Sequence, residues 1–266
     1  MTHISKTSSK KRPSKARYLA TTIQKGLDVL GLFKNRSHLS FTDIQAALGL
    51  HKSTIFRILH TLEINNFLSR DEDGKYTLGL NIFILGNSFS RESHIRRVAT
   101  HHLQELSRQT SMTVHLGILE GTSVVILQKI DPTDGIRMFS RVGAMVPAHC
   151  TGQGKTLLAF SPRETVERVI NTHGLQRFTA NTFTTPNSLF EELAAIRTRG
   201  YAIDNSEHER HIKCVAAPVL NDQGTVEAAL SMTGLVLDFP DQQSVEAHAR
   251  QLQATAERIR KELGFS

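Results

Sequence analysis

Residues 21–78 constrain the fold most, because three short helical patterns there run straight into a hairpin pattern. Ile23, Leu27, Leu30 and Phe33 recur at helical spacing and predict an amphipathic helix over 21–34. Ser40, three residues before Asp43, has the spacing of a capping box. It predicts a helix that runs to Leu48 and is stopped by Gly49. A third helix is expected over 51–62, with Ile55, Ile58, Leu59 and Leu62 as its buried stripe. Ser53, Phe56, Arg57 and His60 then fall on the opposite face, with Lys52 and Thr54 near the start. Two short helices across a glycine turn fit a helix-turn-helix. Phe67–Arg70 and Lys75–Leu78 flank Asp71-Glu72-Asp73-Gly74, a turn ending in Asp-Gly, which predicts a two-stranded wing.

Such a unit could be no more than a small helical core with an ordinary polar face. The chemistry of the third helix points elsewhere. Arg57 has the geometry for a bidentate contact to guanine, hydroxyls bond phosphate or base edges, and Phe56 suits a thymine methyl. The net charge of +7 adds to this, since residues 1–17 carry Lys6, Lys10, Lys11, Arg12, Lys15 and Arg17 with no acid. Such a stretch reads as a disordered basic arm that contacts phosphates. Arm, helix-turn-helix and wing together imply double-stranded DNA as a partner.

His149-Cys150-Thr151-Gly152-Gln153-Gly154-Lys155-Thr156 ends like a phosphate loop. That motif needs glycine where His149 stands, and no strand ending in a suitable Asp follows, so a nucleotide site is not expected. The apolar stretch 80–89 predicts a helix that must be covered by a second copy or a second domain. Further helices are expected at 92–109, 154–160, 163–172, 188–199 and 243–263. Hairpins are expected from 112–119 with 122–130 and from 212–220 with 225–233. The fold class that follows is α+β, with helices against an antiparallel sheet and a small-molecule pocket on one face. No apolar run is long enough to span a membrane, no secretory signal is visible, and two cysteines make no disulfide framework. A cytoplasmic protein with free thiols is the expectation.

Three other chemistries are weaker. His208-x-x-His211-x-x-Cys214 has a zinc-like spacing, but surface histidines with one pocket cysteine is the plainer reading. Cys150 and Cys214 are a minor alternative as redox sensors, a buried thiol acting as a small apolar residue being the more common case. His149 and Cys150 are neighbours whose side chains point apart on a strand, so they make a poor base and nucleophile, and an enzyme is not expected. No cofactor is implied.

The stretches LGLHKSTIFRILHTLEINNFL (48–68), HCTGQGKTLLA (149–159), GYAIDN (200–205), KCVAAPV (213–219) and AALSMTG (228–234) together resemble the IclR-type bacterial transcriptional regulators. The resemblance covers essentially the whole chain after the arm. It implies an arm over 1–17, an N-terminal winged helix-turn-helix over 18–80, a linker helix over 81–91 and a C-terminal GAF-like α/β effector domain over 92–266. It also implies a homodimer, often paired into a tetramer, on palindromic operators of catabolic or efflux genes, with a small organic or aromatic acid as effector. By position, DNA would be met by Lys52, Ser53, Thr54, Phe56, Arg57 and His60. The effector would be met by Gly152, Gln153, Asp204, Cys214, Ser231 and Thr233. Gln153 stands where members that bind very small acids have a small residue, and Ser206 where many have an acid. In this setting Gly152-Gln153-Gly154 opens a helix whose free N–H groups suit an effector carboxylate. Lys155 is expected to point into solvent.

Overall fold

The computed structural model describes residues 19–34 and 36–265, so the predicted arm over 1–17 lies outside the described residues. The chain separates into two compact units, with the division between Phe89 and Ser90.

The first unit holds α1 (Thr21–Gly31, continued by a 3-10 turn over Leu32–Lys34), α2 (Phe41–Leu48), α3 (Lys52–Ile64), β1 (Leu68–Arg70) and β2 (Tyr76–Leu78). α2 starts at a complete capping box between Ser40 and Asp43 and stops at Gly49, which is left-handed at φ 63°. β1 and β2 are antiparallel, and Leu39 bridges to Tyr76 on the open side of β2. Val29, Phe33, Leu39, Ile44, Ile55, Leu59, Leu68 and Tyr76 make the core. Every helix and the wing contribute to it, so the wing is seated on the helices by burial rather than by its short ladder alone.

α4 (Leu80–Glu92) crosses the division between the units. Leu80, Phe83, Ile84, Leu85 and Phe89 on it are exposed in the single chain. The sequence calls for a cover over this helix, and these side chains are exposed among the described residues.

The second unit begins with α5 (His94–Thr110) and then runs through β3 (Thr113–Glu120), β4 (Ser123–Ile130), β5 (Met145–Pro147), α6 (Gly152–Ala159), α7 (Arg163–His173) and α8 (Pro186–Arg199). β6 (Ala202–Asn205), β7 (Ile212–Leu220), β8 (Val226–Leu235) and α9 (Gln242–Glu262) complete it. The six strands form one antiparallel sheet in the order β5-β4-β3-β8-β7-β6. Side chains alternate across it. Val114, Leu116, Val215, Leu230 and Met232 pack on one face with Leu103 and Leu106 of α5 and Leu252 and Ile259 of α9. On the other face Val124 and Ala229 join Leu157 and Leu158 of α6, which bring in α7 and α8 through Val166, Leu189 and Leu193. The mixed helix-and-sheet architecture expected from the sequence is present. The short strands β5 and β6 were not predicted.

Candidate nucleic-acid interface and ligand cavity

On α3, Ile55, Ile58 and Leu59 are buried. Lys52, Ser53, Phe56, Arg57 and His60 are exposed, and Thr54 is half-buried. Five of the six residues picked out for DNA therefore share the outward side of one helix, and Thr54 lies at its margin. Phe56 and His60 stack with ring centroids 6.1 Å apart, and the His51 ring nitrogen Nδ1 lies 2.9 Å from Ser53 Oγ at the helix start. In the wing, Asp71 accepts the N–H groups of Asp73 and Lys75 and meets His38 Nδ1 at 2.7 Å. Its carboxyl is held below the usual range by those contacts, His38 first. Arg70 is committed internally, donating to Tyr76 Oη at 2.7 Å and pairing with Glu63 at 3.1 Å.

The second unit contains a cavity of about 640 Å³ on the sheet face that carries α6. Gly152, Gln153, Asp204, Cys214, Ser231 and Thr233 all line it. The strand register explains how they meet. Asp204, Cys214, Thr233 and Thr113 stand opposite one another across β6, β7, β8 and β3, and Ala216, Ser231 and His115 form the next row. Directly opposed residues point to the same face, so Asp204, Cys214, Thr233, Ser231 and His115 converge on the floor. Gly152 lies so close to β7 that a Cβ there would stand 2.8 Å from Cys214 Sγ. At Gly154 a Cβ would stand 2.3 Å from the Ala148 carbonyl oxygen. Gly152 lets the first turn of α6 press against the floor, and Gly154 lets it pack on the backbone of the loop that leads into it. Gln153 donates from Nε2 to the Ala229 carbonyl at 3.0 Å, in space left by Gly117, where a Cβ would meet Gln153 Oε1 at 2.8 Å.

The titratable residues of the floor are buried, and they respond. Burial, reinforced by the neighbouring Glu207, lifts Asp204 to about 7. Burial lifts Cys214 to about 12 and lowers His115 to about 4. The segment between β4 and β5 supplies Ile136, Arg137, Met138, Phe139, Ser140 and Arg141 to the wall. It is fastened by Lys129, which donates to the Met138 carbonyl at 2.7 Å, and by Ser140, which meets His115 Nε2 at 2.7 Å. The sequence reading missed this segment and His115. The segment has no periodicity to read, whereas His115 alternates with Thr113 and Gly117 on a strand and was accessible once β3 was paired with β8.

Lys155 corrects an expectation. It is fully buried rather than solvated. Its Nζ reaches Glu207 at short range, the Ile203 carbonyl at 2.6 Å and Glu192 at 3.4 Å, and it lies 4.9 Å from the Phe183 ring centroid. A lysine on the second turn of a wholly buried helix has no route to water, so it carries its charge to the buried Glu207 and the half-buried Glu192.

The other chemistries find no support in the geometry. His208, His211 and Cys214 do not form a metal-ligating group. Among the described residues, the only such trio is His101, His102 and Glu262. Cys150 and Cys214 are both buried, and burial raises both thiols, which disfavours thiolate chemistry. His149 Nε2 meets the Gln176 carbonyl at 3.0 Å rather than a nucleophile.

Comparison with known proteins covers both units. Residues 22–72 match the IclR helix-turn-helix domain, and residues 88–261 match the bacterial transcriptional regulator IclR C-terminal domain. The HTH-type transcriptional regulator XynR of Escherichia coli (strain K12) is 34% identical over 246 residues, which is 92% of this chain and 97% of that protein. The IclR crystal structure from Thermotoga maritima is 31% identical with a TM-score of 0.71, covering 93% of this chain and all of that one. An IclR homolog from Microbacterium hydrocarbonoxydans, complexed with 4-hydroxybenzoate, is 26% identical with a TM-score of 0.79, covering 91% and 99% of the two chains.

Proposed function

This chain belongs to the IclR family of bacterial transcriptional regulators, and we propose that its hold on DNA is switched by a small organic or aromatic acid in the cavity of the second unit. The observation that carries the reading is the convergence on one cavity floor of Gly152, Gln153, Asp204, Cys214, Ser231 and Thr233. Gly152 and Gln153 open α6, so their N–H groups have no partner within the helix. Thr151 Oγ1 already takes the N–H of Gly154. Two N–H groups at a helix start, with two hydroxyls on the adjoining strand, suit a carboxylate. Arg137 and Arg141 in the wall favour the same charge. Asp204, with its pKa near 7, can hold a proton and donate it instead of repelling the anion. The volume suits a ligand of benzoate size, and the Microbacterium homolog makes 4-hydroxybenzoate a sensible first ligand to test.

On the DNA side, Lys52, Ser53, Thr54, Phe56, Arg57 and His60 are assigned to the major groove. Two copies would be joined over exposed apolar side chains such as Phe83 and Phe89, and would read a palindromic operator. The regulated genes would act on the acid itself or export it. The effector acts by binding one arrangement of the dimer better than another, which biases the spacing of paired recognition helices.

The test is fluorescence anisotropy on DNA from upstream of the gene against scrambled DNA, with 4-hydroxybenzoate, benzoate and benzamide added in turn. Arg57→Ala should cost about 1–3 kcal/mol on the operator and less on scrambled DNA. Carboxylates, but not the amide, should change operator affinity. Ser231→Ala should blunt that response and leave the ligand-free affinity intact. Equal losses on both DNAs would reduce Arg57 to a phosphate contact. An unaltered response in Ser231→Ala would remove the cavity from the effector's path.

A further inference from the structure

His101 and His102 lie in the middle of α5, and Glu262 is the last residue of α9. His102 Nε2 is 3.0 Å from Glu262 Oε1, and His101 Nε2 is 3.6 Å from the same oxygen. One ligand atom from each of the three residues lies within 4.8 Å of the others. We propose that these three side chains bind one zinc-class divalent ion, which ties the last turn of α9 to α5.

The donor set suits this class of ion. Two imidazoles and a carboxylate match zinc, and nickel or copper behind it, whereas calcium and magnesium call for more oxygens. Tetrahedral zinc with bonds of ~2.1 Å sets its donors ~3.4 Å apart, close to the 3.6 and 3.0 Å from the His101 and His102 nitrogens to Glu262 Oε1. The His102 side chain is almost buried and therefore held in place. Those of His101 and Glu262 are 59% and 47% exposed, which leaves a way in and a fourth position for water. A simple His102–Glu262 hydrogen bond would account for one of these contacts. It would not bring a second imidazole to the same oxygen, with its ring 3.8 Å from the first. The nearby Arg258 guanidinium is engaged elsewhere, with Glu105 at 3.8 Å and Thr255 at 3.1 Å.

His102 Nδ1 is buried and has no hydrogen-bond partner. With Nε2 on a metal, Nδ1 carries the proton and nothing orients it, so binding should be micromolar in scale and not of the tight structural class. No residue of the trio lines the effector cavity, and α5 and α9 lie on the opposite face of the sheet. Ion binding is thus independent of the proposed effector site.

The experiment uses the full-length, tag-free, chelator-treated protein. Zinc is titrated in competition with a chromophoric chelator, and hydrogen exchange is followed with and without zinc. One ion per chain is expected, with slower exchange in the last turn of α9. His101→Ala and Glu262→Gln, both at exposed positions, should weaken binding by roughly tenfold or more. His208→Ala and His211→Ala should leave it unchanged. Absence of stoichiometric binding would overturn the proposal, as would full affinity in both His101→Ala and Glu262→Gln. Loss of binding in the His208 or His211 variants would also overturn it.

Discussion

Lys155→Met isolates a charge that the fold has buried beside the cavity. The ammonium satisfies Glu207, the Ile203 carbonyl and part of Glu192. Glu192 retains Arg199 at 2.7 Å after the change. Glu207 does not fare as well. It is 3% exposed, its Oε2 has no partner, and it would keep only the Asn205 N–H at 3.3 Å. Removing one member of a buried pair costs about 3–5 kcal/mol. For a unit of this size that is a fall in Tm of roughly 6–20 °C. The pH dependence adds a signature. Burial already raises the Glu207 pKa, and loss of the ammonium raises it further. Between its unfolded and folded values the folded chain holds a proton that the unfolded chain lacks, so stability falls as pH rises through that window. Thermal unfolding followed by circular dichroism should therefore show a larger deficit at pH 8 than at pH 5. Lys155→Met with Glu207→Gln, which removes the stranded charge and keeps an acceptor for Asn205, should recover most of the loss. A shift under ~3 °C at pH 8, or one indifferent to pH, would show that the pair carries no buried charge and that this reasoning is wrong.

The same carboxyl cluster and the glycines give three further tests. Asp204 is raised from 3.8 to about 7, so the folded state binds its proton more tightly and the unit should lose stability as pH climbs through that range. Asp204→Asn should flatten this dependence in melts from pH 4 to 8, and an unchanged slope would assign it to another group. Gly154→Ala drives a Cβ to 2.3 Å from backbone that cannot yield, so urea unfolding should show a loss well above the ~1 kcal/mol typical of point changes. Gly49→Ala meets open space and only the left-handed strain at φ 63°, so ~1–2 kcal/mol is expected; a loss as large as that of Gly154→Ala would contradict the packing argument.

The first unit was legible because its signals are local. The stripe of Ile55, Ile58 and Leu59, the Ser40 cap and Gly49 each act within a few residues, and the structure has each where the spacing puts it. The cavity residues were reachable as a set only through the resemblance: the hairpin signal pairs 212–220 with 225–233, but nothing in the sequence alone brings Asp204, Gln153 or His115 beside it. Lys155 was misread for a related reason. Its partners are 37 and 52 positions away, and a lysine after Gly-Gln-Gly looks like a loop residue until α6 is known to be covered on every side. β6 escaped notice because Ala202–Asn205 is too short to show alternation.

The pairing of β3 with β8 sets a timetable. Thr113 must wait for Thr233 before the middle of the sheet exists. The wing and α3, by contrast, close over a few dozen residues. On a ribosome adding about 5–20 residues per second, the interval between completion of the first unit and emergence of β8 is roughly 7–30 s. For that time each nascent chain holds every strand and helix of the first unit, while the sheet that floors the cavity still lacks its central strand.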